Sequence, residues 1–329
     1  MLSVMGRVIA VSNLKGGIGK TTTVVNLGAG LALKGARVLL VDIEAQGNLG
    51  MALGIRPRRT LYEVLVDGAQ AADCVMTVRP NLDLIGADQA LLGVQPIIAQ
   101  RPDWSRVLEQ GLRPLFNAYD FILLDSGGSL TVLNTNAFVC ATDVLVPTAV
   151  EHFSLKSIDL LFNQVARVKG NSGSIRMIIP TMYDPRVRQS SELLAELRGQ
   201  YGPLVSSPVR VNVRLSEAAT RGQTIYEYDP RSRGATDYAL LVERVSTMFG
   251  FRAATPSVSP APTATADGSA LAPGGRAPTT LYDDSGPGAS QSCPYCGRPL
   301  QHATLAGYRI AFCEHCKYKT QILASGPRR

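Results

Sequence analysis

The residues best suited to chemistry stand close to the N-terminus. Lys15-Gly16-Gly17-Ile18-Gly19-Lys20-Thr21-Thr22 follows the apolar stretch 8–11 and opens a helix-like segment that runs to Leu33. A strand, a glycine loop and a helix in that order make a phosphate cradle. Backbone N–H groups converge on the anion, and the helix N-terminus adds its partial positive charge. Lys20 can reach terminal phosphates, and the Thr21 hydroxyl can hold Mg²⁺. The common eight-residue pattern has a glycine where this chain has Leu14, and a second lysine, Lys15, stands at the start of the loop. A glycine turn that binds nothing would account for three glycines, but not for two lysines and a Thr-Thr pair after a strand.

A second chemical signal lies at the other end. Cys293-Pro-Tyr-Cys296 and Cys313-Glu-His-Cys316 are two Cys-x-x-Cys knuckles with sixteen residues between them. That spacing matches a four-thiolate Zn²⁺ site. So short a segment cannot fold on apolar burial alone, so the metal would supply much of its stability. Disulfides are the alternative, and they are disfavoured in a chain with no export signal. His302 and His315 could substitute as ligands, but four cysteines already complete the tetrahedron. Cys74 and Cys140 sit in apolar contexts and read as buried hydrophobes.

Both signals must be held by a scaffold. Strand-like runs at 8–11, 38–41, 82–85, 121–124, 144–146 and 177–179 alternate with amphipathic helix-like segments. That rhythm predicts an α/β fold, a doubly wound and mostly parallel sheet with helices on both faces. Ligands then sit at the carboxyl ends of the strands, where the glycine loop already is. Residues 253–291 are dominated by Pro, Ala, Ser, Thr and Gly and read as a flexible linker. The expected organisation is a phosphate-loop domain over 1–252, that linker, and a small zinc-ribbon-like module over 292–329.

The 329 residues are 45% hydrophobic, enough for a full-sized core, and carry a net charge of +7. The charge is uneven: 26 basic against 22 acidic residues over 1–252, one against three over 253–290, and six against one over 291–329. The excess suits a polyanionic partner without requiring one. No run of 18 uncharged apolar residues occurs, and 1–6 is not a signal peptide, so a cytoplasmic protein is expected.

Over residues 7–250 the chain resembles the ParA/MinD family of ATPases, whose phosphate loop is the deviant Walker A form seen at Lys15–Thr22. Asp42-Ile-Glu44-Ala45-Gln46-Gly47-Asn48 resembles the family's Asp-x-Asp-Pro-Gln-Gly-Asn motif, and Tyr119-Asp-Phe-Ile-Leu-Leu-Asp125 resembles its Walker B strand. Asn136-Ala137, Val144-Leu-Val-Pro147 and Glu151 are similar to the next helix and strand. Thr181-Met182-Tyr183-Asp184, Asn212-Val-Arg214-Leu-Ser-Glu217 and Tyr228-Asp-Pro-Arg231-Ser-Arg233 resemble the partition branch.

The resemblance implies roles for these positions. ATP and Mg²⁺ would be the cofactors, with Lys20 on the β- and γ-phosphates, Thr21 on Mg²⁺, and Asp42 and Asp125 near the metal through water. Lys15 would cross a nucleotide-sandwich homodimer to the other subunit's ATP and stabilise charge there in trans. Met182 and Asn212 are candidates for the adenine rim, or ordinary loop and core residues. Nonspecific double-stranded DNA would bind at Arg186 and Arg214, with a ParB-like protein stimulating hydrolysis on the nucleoid. Arg188, Arg210, Arg221, Arg231 and Arg233 could extend that patch, or be solvated and salt-bridged.

Two departures bear on rate. Glu44 stands where the family has its second Asp, which moves the carboxylate by one methylene, so slow hydrolysis is expected. Asp125 is followed by Ser126-Gly127-Gly128 where the family has prolines, which predicts a looser turn. The MinD branch's membrane helix is replaced here by the linker and zinc module, so no membrane role is expected. Paired cysteines for an iron–sulfur cluster are missing beside the loop. A positioning switch for a non-DNA cargo, with the zinc tail as adaptor, remains an alternative. So does a nucleotide-gated DNA-binding regulator.

Overall fold

Each strand of the main sheet alternates its side chains between two apolar layers. In β1 (Arg7–Val11), Val8 and Ala10 face one layer while Ile9 and Val11 face the other. The same split separates Leu39 and Val41 from Val38 and Leu40 in β2 (Val38–Asp42), and Ile122 and Leu124 from Phe121 and Leu123 in β5 (Phe121–Asp125). A period of two with both faces apolar is what a sheet covered on both sides requires. The structure, a computed structural model, describes residues 6–129, 131–151, 154–252, 298–299, 301–305, 308–312 and 319–323. The chain divides into two units, 1–259 and 260–329.

In the first unit seven strands lie in the order β3-β4-β2-β5-β1-β6-β7, with β3 Met76–Arg79, β4 Leu82–Ile85, β6 Asp143–Ala149 and β7 Ile175–Thr181. All six expected strands are present and run parallel. The seventh, β3, pairs antiparallel with β4 at the edge. Its Met-Thr-Val-Arg sequence buries only Val78, so no apolar run marks it.

Two helices, α1 (Lys20–Leu33) and α11 (Arg233–Met248), cover one face, through Val24, Leu27, Tyr238 and Val242 among others. Between them in sequence come α2 (Asn48–Ala52), α3 (Leu61–Leu65), α4 (Val94–Ala99), α5 (Val107–Leu112), α6 (Val132–Cys140), α7 (Ser154–Lys169), α8 (Arg188–Tyr201), α9 (Val213–Thr220) and α10 (Ile225–Tyr228). The other face is covered mainly by α5, α6, α7 and α8, through Leu108, Phe138, Leu161 and Leu194. Helices thus flank the sheet on both sides, the doubly wound P-loop architecture.

In the second unit β8 (Gln301–Leu305), β9 (Tyr308–Phe312) and β10 (Lys319–Leu323) form an antiparallel sheet in the order β10-β9-β8. Gln301, Phe312 and Lys319 are register partners across it. Cys293, Cys296, Cys313 and Cys316 lie outside the described residues, as does the linker 253–291. Among the described residues no helix is long and apolar enough to cross a membrane, and no group of three or more His, Cys, Asp or Glu could hold a metal ion.

Candidate functional site

The strands β1, β2 and β5 end side by side. The register pairs Val11 with Asp125 and Asp42 with Asp125, so the glycine loop and two carboxylates converge at one edge. Gly19 has φ +88°, a left-handed turn that a Cβ would strain, and it lets the loop swing directly into α1 without a side-chain cap. The N-terminal N–H groups of α1 are therefore left for an anion. Gly16 and Gly17 are exposed, while Ile18 anchors the loop in the core.

The two lysines occupy different places. Lys20 is buried, and its Nζ donates to the Lys15 carbonyl at 2.8 Å, closing the loop on itself. Burial pulls its pKa below the ordinary lysine value, against the opposing pull of Asp125 and Glu44. Lys15 points outward, its Nζ 2.8 Å from Glu151 Oε1, with the two side chains 41% and 49% exposed.

Thr21 Oγ1 donates to Asp125 Oδ2 at 2.7 Å. The other Asp125 oxygen, Oδ1, is buried with no partner among the described residues. Asp42 accepts from the Glu44 N–H at Oδ1 and the Leu49 N–H at Oδ2, both at 3.0 Å. Burial pushes Asp42 up to about 7. Burial and then the Asp42 charge push Asp125 well above the usual carboxylate range. Two adjacent buried carboxyls, one with an orphaned oxygen, beside a threonine hydroxyl fit a hard divalent cation such as Mg²⁺. Glu44 sits at the rim, its Oε2 3.4 Å from Asn48 Nδ2.

A cavity of about 370 Å³ runs from Thr21 and Thr22 past Asn26, Asn48 and Met51 to Leu215 on α9, room enough for a small ligand. Met182 follows directly on β7. Its neighbour Thr181 donates from Oγ1 to the Ile18 carbonyl at 2.8 Å, and Met182 itself has φ +53° and is 48% exposed. Asn212 caps α9, its Oδ1 accepting from the Arg214 N–H at 2.9 Å.

The family model for the AAA domain matches residues 6–177. The Bacillus subtilis sporulation initiation inhibitor protein Soj is 39% identical over 252 residues, covering 74% of this chain and 99% of that protein. The Caulobacter vibrioides chromosome partitioning protein ParA is 38% identical, covering 73% and 93%. This chain belongs to the ParA/MinD family of P-loop ATPases. Mycobacterium smegmatis cobyrinic acid a,c-diamide synthase, solved with an ATP analogue and magnesium, matches with a TM-score of 0.65 at 27% identity, covering 75% of this chain and 98% of that one. As a member of the family the chain is an ATPase, with ATP and Mg²⁺ as its cofactors.

Against the ParA/MinD pattern the turn after Asp125 holds a surprise. Gly127 and Gly128 predict looseness, yet Asn134 Nδ2 donates to the Gly127 carbonyl at 3.2 Å and to the Ser129 carbonyl, and Ser126 Oγ donates to the Val11 carbonyl at 3.0 Å. A Cβ on Gly128 would lie 3.0 Å from the Gly16 nitrogen, so this glycine marks close approach to the phosphate loop. Asn13 is a second residue that motif reading passed over. Its Nδ2 donates to the Pro147 carbonyl at 2.8 Å and to Thr148 Oγ1 at 3.2 Å, fixing the loop's base to β6.

Four of the candidate DNA arginines are ion-paired. Arg186 grips Asp184 through Nε at 2.9 Å and Nη2 at 2.7 Å, which holds that carboxyl down to about 2. Arg214 pairs with Glu217 at 2.8 Å and Asp229 at 3.6 Å. Arg188 pairs with Glu192, and Arg210 is locked on Asp237 at 2.6 Å.

Proposed function

We propose that this is a cytoplasmic, nucleoid-associated partition ATPase of the ParA type. ATP drives a sandwich homodimer that holds nonspecific duplex DNA, and a ParB-like partner stimulates hydrolysis and release. One observation carries the reading: of the two loop lysines, Lys20 is buried in its own loop while Lys15 stands half-exposed on the rim, ion-paired with Glu151. The names of the Soj and ParA relatives support partition as the task. In this reading Glu44, Asp42 and Asp125 orient water and metal, Gly16 to Thr22 hold the phosphates, and Met182 and Asn212 border the base. The dimer equilibrium is the bistable element, and the γ-phosphate biases it.

The test is binding of the full chain to random-sequence duplex with ATP, with ADP and without nucleotide, for wild type and Lys15→Ala. Salt-sensitive binding with ATP alone, lost in the variant, is expected. Binding indifferent to nucleotide contradicts the reading. The carboxylate partners of Arg186 and Arg214 favour a second reading, a positioning switch for a non-DNA cargo. ATP-dependent dimers that ignore DNA would select it.

We further propose a Zn²⁺ held by Cys293, Cys296, Cys313 and Cys316 in a terminal module joined by a linker to the ATPase domain. The register Gln301–Phe312–Lys319 supports this: the chain begins β8, leaves β9 and begins β10 at one end of the sheet. Cys313 follows Phe312 directly, and Cys316 is three residues from Lys319. One equivalent of zinc in the purified full chain, lost on Cys313→Ser with Cys316→Ser, is expected. A metal-free chain with four titratable thiols there refutes it.

A further inference from the structure

We propose that the duplex-DNA surface extends from α9 onto the turn after α2, where Arg56 and Arg58 take phosphates alongside Arg221. The inference rests on the DNA reading above. Its starting point is a backbone contact. Gly54 has φ +70° and Gly222 φ +67°, and a Cβ on Gly222 would meet Gly54 Cα at 2.6 Å and its nitrogen at 2.8 Å. The turn after α2 and the turn after α9 therefore touch main chain to main chain, with no side chain between them. Ile55 N–H donates to the Gly50 carbonyl at 2.8 Å, which fixes where the following residues emerge.

Arg56 and Arg58 emerge there exposed, and neither forms an ion pair among the described residues. Arg221, at the end of α9, is exposed too, its guanidinium 5.3 Å from the Tyr228 ring. Arg214 and Arg221 are seven residues apart, on the same helical face and about 10 Å along the axis. The acids of this region are already engaged. Glu217 accepts from Arg214 and Tyr228, Glu227 from Arg79 and Thr224, Asp88 from the Ala90 N–H, and Asp229 faces Arg214. Arg59 has Asp73 at 3.6 Å.

The arginines of this ridge with no carboxylate within ion-pair distance among the described residues are thus Arg56, Arg58 and Arg221, with Arg221 in the field of Glu217 and Arg56 lining a cavity with Asp88. A phosphate that meets an unpaired guanidinium displaces only water and releases a counterion from DNA. At Arg186 it must first break a bidentate pair. Arginines spread over two elements, with no enclosed pocket, suit a row of backbone phosphates and carry no base information. The ridge is also joined to the nucleotide site, because the Leu49 N–H at the start of α2 is held by Asp42.

The experiment uses the full chain with Mg²⁺ and ATP and a random-sequence duplex, titrated from about 50 to 200 mM salt, the range over which phosphate contacts show most clearly. Arg56→Ala with Arg58→Ala should lower the slope of log affinity against log salt by about 2, at ~0.9 per phosphate contact. Basal ATP hydrolysis should stay within twofold of wild type, and Arg56→Lys with Arg58→Lys should keep the slope, since charge and not fork geometry is read. An unchanged slope in the alanine variant, with wild type binding DNA only with ATP, overturns this inference and leaves the partition reading standing. Wild type that ignores DNA overturns both.

Discussion

Gly128→Ala is a small change with a calculable consequence. The new Cβ would lie 3.0 Å from the Gly16 nitrogen, 3.2 Å from the Lys15 carbonyl carbon and 3.3 Å from Gly16 Cα. Ordinary contacts of this kind begin at 3.4 Å, so something must move by about 0.4 Å. The Gly128 side is pinned by Asn134 and Ser126 through three hydrogen bonds to backbone carbonyls. Gly16 is exposed and has open space around it, so the phosphate loop yields. Its N–H is one of the cradle's donors. If a misplacement of about 1 Å costs ~10²-fold, 0.4 Å scales to roughly 1.1 kcal/mol, or about sixfold in kcat/KM for ATP. Phosphate release under steady state measures it, with thermal melting to establish that the fold is intact. Gly127→Ala is the comparison: its Cβ would stand 3.4 Å from Glu44 Oε1, an ordinary contact with the end of a flexible side chain, so a smaller loss is expected. Wild-type kcat/KM in Gly128→Ala would refute the reasoning. Equal damage in both variants would show that backbone freedom matters and the contact does not.

In nucleotide-free protein Asp42 is pushed up to about 7 from 3.8 by burial. An acid raised on folding contributes stability that is full below its unfolded pKa and lost as pH climbs to the folded one. Unfolding free energy should therefore fall as pH rises from about 4 to 7, Asp42 contributing at most ~1.4 kcal/mol per pH unit and the raised Asp125 adding its own share. Asp42→Asn should reduce that slope in denaturant titrations, leaving the share of Asp125, while eliminating turnover. A slope as steep in the variant as in wild type assigns it to other groups. Glu151→Gln should free Lys15 from a half-exposed ion pair worth up to ~1 kcal/mol, tightening ATP-dependent self-association up to about fivefold by sedimentation velocity. Unchanged or weaker association would show that the pair does not compete with dimer formation.

What was legible in the sequence was local. The phosphate loop, six strands and the carboxylates ending two of them are read from contiguous residues whose periodicity or spacing dictates their shape. The edge strand β3 was hidden because an edge buries one side only, and Met76–Arg79 buries a single residue well. The partners of the site lie far off in the chain. Thr181 reaches Ile18 across 163 positions, Asn13 reaches Pro147 across 134, and Glu151 meets Lys15 across 136. Only the fold brings these together, so no spacing announces them. The arginines show the same limit: their types and positions suit DNA, while the ion pairs with Asp184, Glu217 and Asp237 come from the fold.

The short helix α2 gives the departures at Glu44 and Gly128 a common logic. Asp42 holds the Leu49 N–H of α2 on one oxygen and the Glu44 N–H on the other, so both oxygens are fixed by backbone before any cation arrives. Asp42 is thereby tied to α2, and the Gly54–Gly222 contact ties the turn after α2 to the end of α9. Glu44, one methylene longer than aspartate, stands between Asn48 of α2 and the Gly127 backbone. A proline at 127 would bring ring atoms to that oxygen, whereas glycine leaves the longer carboxylate room. The glycine pair and the glutamate are therefore one substitution in physical terms: the wider turn accepts the longer acid. Restoring only one half, as in Glu44→Asp or Gly127→Pro alone, should lower turnover more than restoring both together. Additive losses in that double-mutant cycle would show the two changes to be independent.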